Sequence, residues 1–392
     1  MRSQIQQLVL AAALLQSADA APAGLLDGLG VVTQLLALPT DYVSSLTGVL
    51  GTKPGSGVGA GVLNVGDLQT KLGSIWNTGS TGDFYGKLQK QIGQGLVPNN
   101  LLSSFQGLLG TGLLGSLDLT FSPNLLKLLT NVPYADPVWL NIPGALLGDA
   151  QVNSEYVAYA INYINGISNK NSSIISWSQG GLDTQWAFTF WPSTRNAVAN
   201  FFPVSPDFHG TVLANVLCLS PGNGALNAPC DPSVIQQQYT SVFINTLRSR
   251  GGADAYVPTT TFYSAILDEV VEPQQGTVAS AYLTDARRVG VTNIEVQSVC
   301  PGRPAGSIYG HATMLFNPLT AALIKDVLQR GAGPAKISNI NLNDVCKDFI
   351  APGLNLEDGI ATAGSIVAAG IRLLAYLPKL IAEPTLMAYA RS

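Results

Sequence analysis

Charge is scarce in this sequence. Only 11% of its 392 residues are Asp, Glu, Lys or Arg, against about 25% in an ordinary soluble domain. The net charge is −4 and no basic run is present, which excludes the phosphate-tracking surface of a nucleic-acid binder. Histidine is scarcer still, with two residues, His209 and His311. Two histidines and four cysteines without a CxxC pair give no zinc ligand set, and neither metal nor cofactor is expected. Long apolar runs are missing too. The longest candidate, residues 360–371, is interrupted by Arg372 and falls short of the about 20 residues that a bilayer core needs. What the chain has in quantity is hydrophobic residues, 46% of the total, enough for a large core. A surface with so little charge suits transient contact with a lipid interface.

The N-terminus reads as a secretory signal over residues 1–20. Arg2 supplies the positive region, residues 9–15 the apolar stretch, and Ala18-Asp19-Ala20 a cleavage site. A secreted, extracellular and monomeric protein is expected. Residues 21–105, rich in Gly, Leu, Ser and Thr, form an N-terminal extension with short helices at 68–72 and 84–92 and a loop at 54–61. Residues 106–392 carry the catalytic domain. An even cysteine count in a secreted chain implies two disulfides. Four cysteines allow three pairings. A local bridge between Cys218 and Cys230, across a Pro/Gly/Asn loop, leaves Cys300 with Cys346. Asn171-Ser172-Ser173 is a glycosylation acceptor.

From residue 135 onward, β-prone runs alternate with helical spacing. Strands are predicted at 138–142, 173–177, 200–205, 256–265 and 294–299, with helices at 152–165 and 182–191. That alternation implies an α/β fold with a mostly parallel sheet covered by helices on both faces.

The run Ser176-Trp177-Ser178-Gln179-Gly180-Gly181 sits where a strand turns sharply into a helix. Such an elbow lifts a serine hydroxyl above the sheet, and small neighbours allow the turn. The usual pattern is G-x-S-x-G, and here Ser176 replaces the first glycine. A serine nucleophile needs a base, a group to orient that base, and donors for the oxyanion. In α/β-hydrolases the order is Ser, then Asp or Glu, then His. His209 falls too early for the base. His311, after the last predicted strand, fits. Between them, Asp268 follows the strand ending near 265, with its neighbour Glu269 as the alternative orienting acid.

These residues together resemble the fungal lipase B family, typified by Candida antarctica lipase B, from about Trp139 to Arg391. The Trp-Ser-Gln-Gly-Gly elbow, Gln151-Val152-Asn153-Ser154-Glu155-Tyr156, Ser205-Pro206-Asp207, Val257-Pro258-Thr259-Thr260, Asp268-Glu269-Val270-Val271 and Met387-Ala388-Tyr389-Ala390-Arg391 carry the resemblance. It implies the α/β-hydrolase fold and a triad of Ser178, Asp268 and His311. It implies an oxyanion hole from Gln179 and Thr111, the latter in Gly110-Thr111-Gly112. Asp207 and Gln237 then lie beside the acyl pocket, Val270 and Val271 form its apolar wall, and residues 356–382 shape its mouth. Cys300 and Cys346 match a family disulfide, and Cys218–Cys230 is an addition. The sequence departs from the family at Gly310, where an aspartate is usual, at Val138 and Ala382, where cysteines are, and before Thr111, where a proline is missing. The resemblance implies a secreted serine ester hydrolase, foremost a triacylglycerol lipase that also transesterifies. The alternatives are a carboxylesterase for short or soluble esters and a binding protein that kept the fold without the chemistry.

Overall fold

The computed structural model describes residues 118–218, 229–265, 268–331 and 333–391. The expected signal segment, the N-terminal extension and Thr111 lie outside them. One compact unit comprises Leu117–Ala363 and Tyr376–Ser392. Residues 364–375 fall outside that unit.

Four parallel strands make the sheet: β1 (Ser172–Trp177), β2 (Val198–Val204), β3 (Thr259–Tyr263) and β4 (Val291–Glu295), in that order across it. Their near-continuous apolar and β-branched content is what a sheet buried on both faces requires. Phe201 and Phe202 show the two faces directly. Phe201 packs with Val157, Ile161 and Phe188, from helices α1 (Ala150–Ser168) and α2 (Gln179–Phe190). Phe202 packs with Leu319, Leu323 and Val327, from α3 (Pro318–Arg330). Asp149 caps α1 by accepting the N–H of Gln151, and Asn317 caps α3 by accepting those of Leu319 and Thr320. A last helix, α4, spans Leu356–Ala375, and the rest of the expected helical region to residue 382 is irregular.

Two strand expectations fail. Residues 138–142 form no strand. Val138 is 68% exposed, and Trp139 instead packs edge-on against Phe121 at 5.7 Å. β-propensity without a neighbouring strand does not make a strand. The last strand ends at Glu295 rather than at residue 299. Its register follows β3, from Thr259↔Val291 to Tyr263↔Glu295, and beyond the end of β3 the chain coils into a helical turn, Val296–Val299.

Both disulfides form. Cys300–Cys346 lies in the α3-side core, and Cys218–Cys230 closes the loop ahead of Asp231. Asp231 in turn pairs with Lys379 at 2.7 Å, and Cys230 exchanges backbone hydrogen bonds with Leu380. No helix among the described residues is long and apolar enough to cross a membrane.

Candidate active site

Ser178 stands between β1 and α2 with φ 55° and ψ −134°, a conformation rarely adopted by a residue with a side chain. Strain of this kind at a strand-to-helix turn is the mark of a nucleophile elbow. Its backbone N–H still bonds Val204 in β2 at 2.9 Å, so the sheet holds the turn in place. Gly181 permits the turn: a Cβ there would lie 2.7 Å from Cβ of Pro206. Gly180 is less demanding, since its Cβ would make an ordinary contact of 3.6 Å with Ser176. Gln179 opens α2, and backbone N–H groups in a first helical turn have no intrahelical acceptor. They meet developing negative charge with the positive end of the helix dipole.

His311 and Asp268 meet in the interior, 1% and 0% exposed. The ring Nδ1 lies 3.0 and 3.1 Å from the two carboxylate oxygens of Asp268. Asp268 Oδ1 also accepts the N–H groups of Val270 and Val271, at 3.0 and 2.9 Å. With the proton on Nδ1 the contact is a hydrogen bond to that acceptor carboxyl, and the lone pair is left on Nε2. Nε2 is buried and has no hydrogen-bond partner. Burial works against protonation of His311, yet the charge and hydrogen bond of Asp268, followed by Glu269 and Asp207, outweigh it and raise its pKa above 6.5. His209 is the opposite case. Burial, then Arg248, lower it to about 4, which leaves it neutral at physiological pH.

Several groups that set this geometry have no signature in the local sequence. The carbonyl of His311 accepts from Trp177 Nε1 at 3.1 Å and from Ser205 Oγ at 3.2 Å. Its N–H donates to Glu269 Oε2 at 2.9 Å. Ser264 Oγ holds the carbonyl of Tyr309, and Gln297 Nε2 donates to Ser264 Oγ.

Further buried polar groups lie around the side chain of Gln179. The side chain of Gln179 donates to the carbonyl of Leu146 at 2.9 Å and to Asp183 at 3.3 Å, and accepts from Gln237 at 2.9 Å. Asp183 and Asp207 are fully buried. Burial, then the charge of Asp207, raise Asp183 well above the usual carboxylate range, against the Gln179 hydrogen bond. Burial brings Asp207 to about 7, opposed by its own backbone N–H and by His311. Neither oxygen of Asp207 is hydrogen-bonded to another residue. Val270 and Val271 sit against Asp268 through their N–H groups. No cluster able to hold a metal ion occurs among the described residues.

A parallel sheet that presents a serine at its strand-to-helix turn, with carboxylate and histidine following in that order on later loops, is the architecture of an α/β-hydrolase. No family model matches the sequence. Lipase B of Pseudozyma antarctica is 35% identical over 303 residues, 76% of this chain and 82% of that protein. The crystal structure of Aspergillus fumigatus lipase B is 46% identical, with a TM-score of 0.64 over 70% of this chain. This chain spans 64% of that structure's length. The chain belongs to the lipase B family.

Proposed function

We propose that this chain, a carboxylic ester hydrolase by its family, is a secreted triacylglycerol lipase working by acyl-enzyme chemistry. The observation that carries the reading is the buried His311–Asp268 pair with its unpartnered Nε2, in a loop bonded to the strand that ends just before Ser178. Nε2 takes the proton of the Ser178 hydroxyl as its oxygen attacks the ester carbonyl. Asp268 stabilises the imidazolium, and the N–H groups of Gln179 and Thr111 receive the oxyanion. The imidazolium then returns the proton to the departing alcohol, leaving an acyl-serine. Water, or a second alcohol in transesterification, repeats the sequence in reverse. In this scheme Asp207 and Gln237 line the polar side of the acyl pocket, and Val270 and Val271 its apolar side. The 1–20 segment directs export. The low charge of the chain suits transient contact with a lipid–water boundary, where the protein acts as a monomer.

A fluorophosphonate probe tests the chemistry. It labels the wild-type protein and fails on Ser178→Ala, and an active Ser178→Ala variant removes the scheme. Emulsified triolein beside p-nitrophenyl esters of rising acyl length tests the substrate class. Activity confined to short soluble esters replaces the lipase reading with that of a carboxylesterase.

A further inference from the structure

Two adjacent carboxylates reach His311 from one loop, and they do so by different routes. Asp268 faces the ring. Glu269, 2% exposed, faces the main chain, where Oε2 accepts the N–H of His311 at 2.9 Å. Its other oxygen, Oε1, is buried without a hydrogen-bond partner. The space that Glu269 fills exists because residue 310 has no side chain. A Cβ on Gly310 would collide with Oε2 and lie 3.1 Å from both Cδ and Oε1. A side chain at 310 would displace the Glu269 carboxylate, the far end of a flexible side chain, from this pose.

We propose that Glu269 is a positioning residue for the ester-cleaving reaction: it fixes the backbone of His311 and places a second carboxyl group beside the imidazole, in a pose for which Gly310 leaves room. The proposal rests on the assignment of His311 as the base. An imidazolium forms in each half-reaction, and a nearby carboxylate stabilises it. The same charge keeps the resting base protonated to higher pH, which moves the acidic limb of activity upward. Three carboxyl groups act on His311: Asp268, Glu269 and Asp207. Burial first, then Asp268, raise Glu269 itself to about 7, while His311 opposes the rise. The titrations of Glu269 and His311 therefore overlap in the range where the base works.

The test is kcat/KM against pH on a soluble p-nitrophenyl ester, with melting temperatures alongside. Glu269→Gln keeps an acceptor for the His311 N–H and loses the charge. Its acidic limb is expected to move to lower pH, by less than the roughly one unit of a fully ionised neighbour because Glu269 is itself partly protonated there. Glu269→Ala also loses the acceptor, and kcat/KM is expected to fall roughly ten-fold across the profile. Gly310→Ala is expected to cost roughly ten-fold alone and little in the Glu269→Ala background, since contacting residues are non-additive. If Glu269→Ala does not fold, the pH shift of Glu269→Gln still decides the matter. A parental pH profile in Glu269→Gln overturns the electrostatic role. An equal loss from Gly310→Ala in both backgrounds overturns the steric one. Activity surviving in His311→Ala overturns the base assignment and this proposal with it. Activity lost in His311→Ala but unmoved in both Glu269 variants overturns this proposal alone.

Discussion

The indole N–H of Trp177 donates to the backbone carbonyl of His311 at 3.1 Å, and the two rings lie 5.1 Å apart. Trp177 ends β1 and immediately precedes Ser178. One strand end thus carries the elbow serine and a clamp on the histidine loop, which Ser205 and Glu269 hold from other elements. Trp177→Phe keeps a ring and removes the donor. Ser205 Oγ still bonds the same carbonyl, so the loop stays attached but less firmly. The expected outcome is a fall in kcat of roughly three- to ten-fold, the scale of one neutral hydrogen bond. KM should change little and melting temperature by a few degrees at most. Unchanged kcat would show that Ser205 and Glu269 hold the loop without it.

The residues that bear the proposed chemistry were readable because chain order restricts them. With two histidines in the sequence and Ser178 at a strand end, His209 falls too early for the order and His311 remains, with the acid between. The parallel sheet was readable because alternating helices and strands leave few arrangements. What the sequence hid is long-range. Trp177 and His311 are 134 residues apart, and Glu269 and His311 are 42 apart. No local pattern encodes such contacts. Residues 138–142 misled for a related reason: β-branched and aromatic residues look like a strand whether or not a partner strand lies beside them.

Asp207 makes a pH-dependent prediction for stability. Its folded-state pKa is about 7, against 3.8 for an unperturbed carboxyl. Between those values the folded protein keeps a proton that the unfolded chain has released. Folding stability therefore falls as pH rises from about 4 to about 7, and the penalty is complete above that window. Asp207→Asn removes the penalty. Urea denaturation should show this variant gaining more, relative to wild type, at pH 8 than at pH 4. The difference should be a few kcal/mol at most, at about 1.4 kcal/mol per pKa unit. Equal effects at both pH values would mean that Asp207 titrates normally in the fold. If Asp207 binds substrate as proposed, the stabilised variant should also be less active, the exchange often found at functional sites.

Gly181 tests the elbow by packing. The missing Cβ would lie 2.7 Å from Pro206 Cβ and 3.4 Å from both Pro203 Cβ and Ser176 Oγ. Two of those neighbours are proline ring atoms, which cannot swing away. Gly181→Ala should therefore push α2 off the end of β2, costing about 1–3 kcal/mol as overpacked sites do. Fluorophosphonate labelling of Ser178 should slow in parallel. Gly180→Ala is the control. Its Cβ would make only the 3.6 Å contact with Ser176, and an alanine in a first helical turn is favourable, so stability should hold or rise slightly. Similar losses in the two variants would show that helix placement does not depend on the Pro206 contact.

The two disulfides should differ in what they contribute. Cys300–Cys346 spans 46 residues and Cys218–Cys230 spans 12. On chain entropy alone, closing the longer loop is worth about 4 kcal/mol and the shorter about 3 kcal/mol. All four cysteines are buried, so loop length sets the gap, while Cys300 and Cys346 lie in the α3-side core with Tyr309 and Phe316. Replacing both cysteines of that pair by alanine should lower the melting temperature more than replacing Cys218 and Cys230. The functional effects should run the other way round in kind. The shorter bridge tethers Cys230 and Asp231, which are also tied to Leu380 and Lys379, ahead of the helical turn that delivers Gln237 to Gln179. Its loss should raise KM and lower the melting temperature, the latter by less than loss of the longer bridge does. Loss of the longer bridge should lower stability and kcat together. Identical melting and kinetic changes from the two pairs would show that both act only through the unfolded chain.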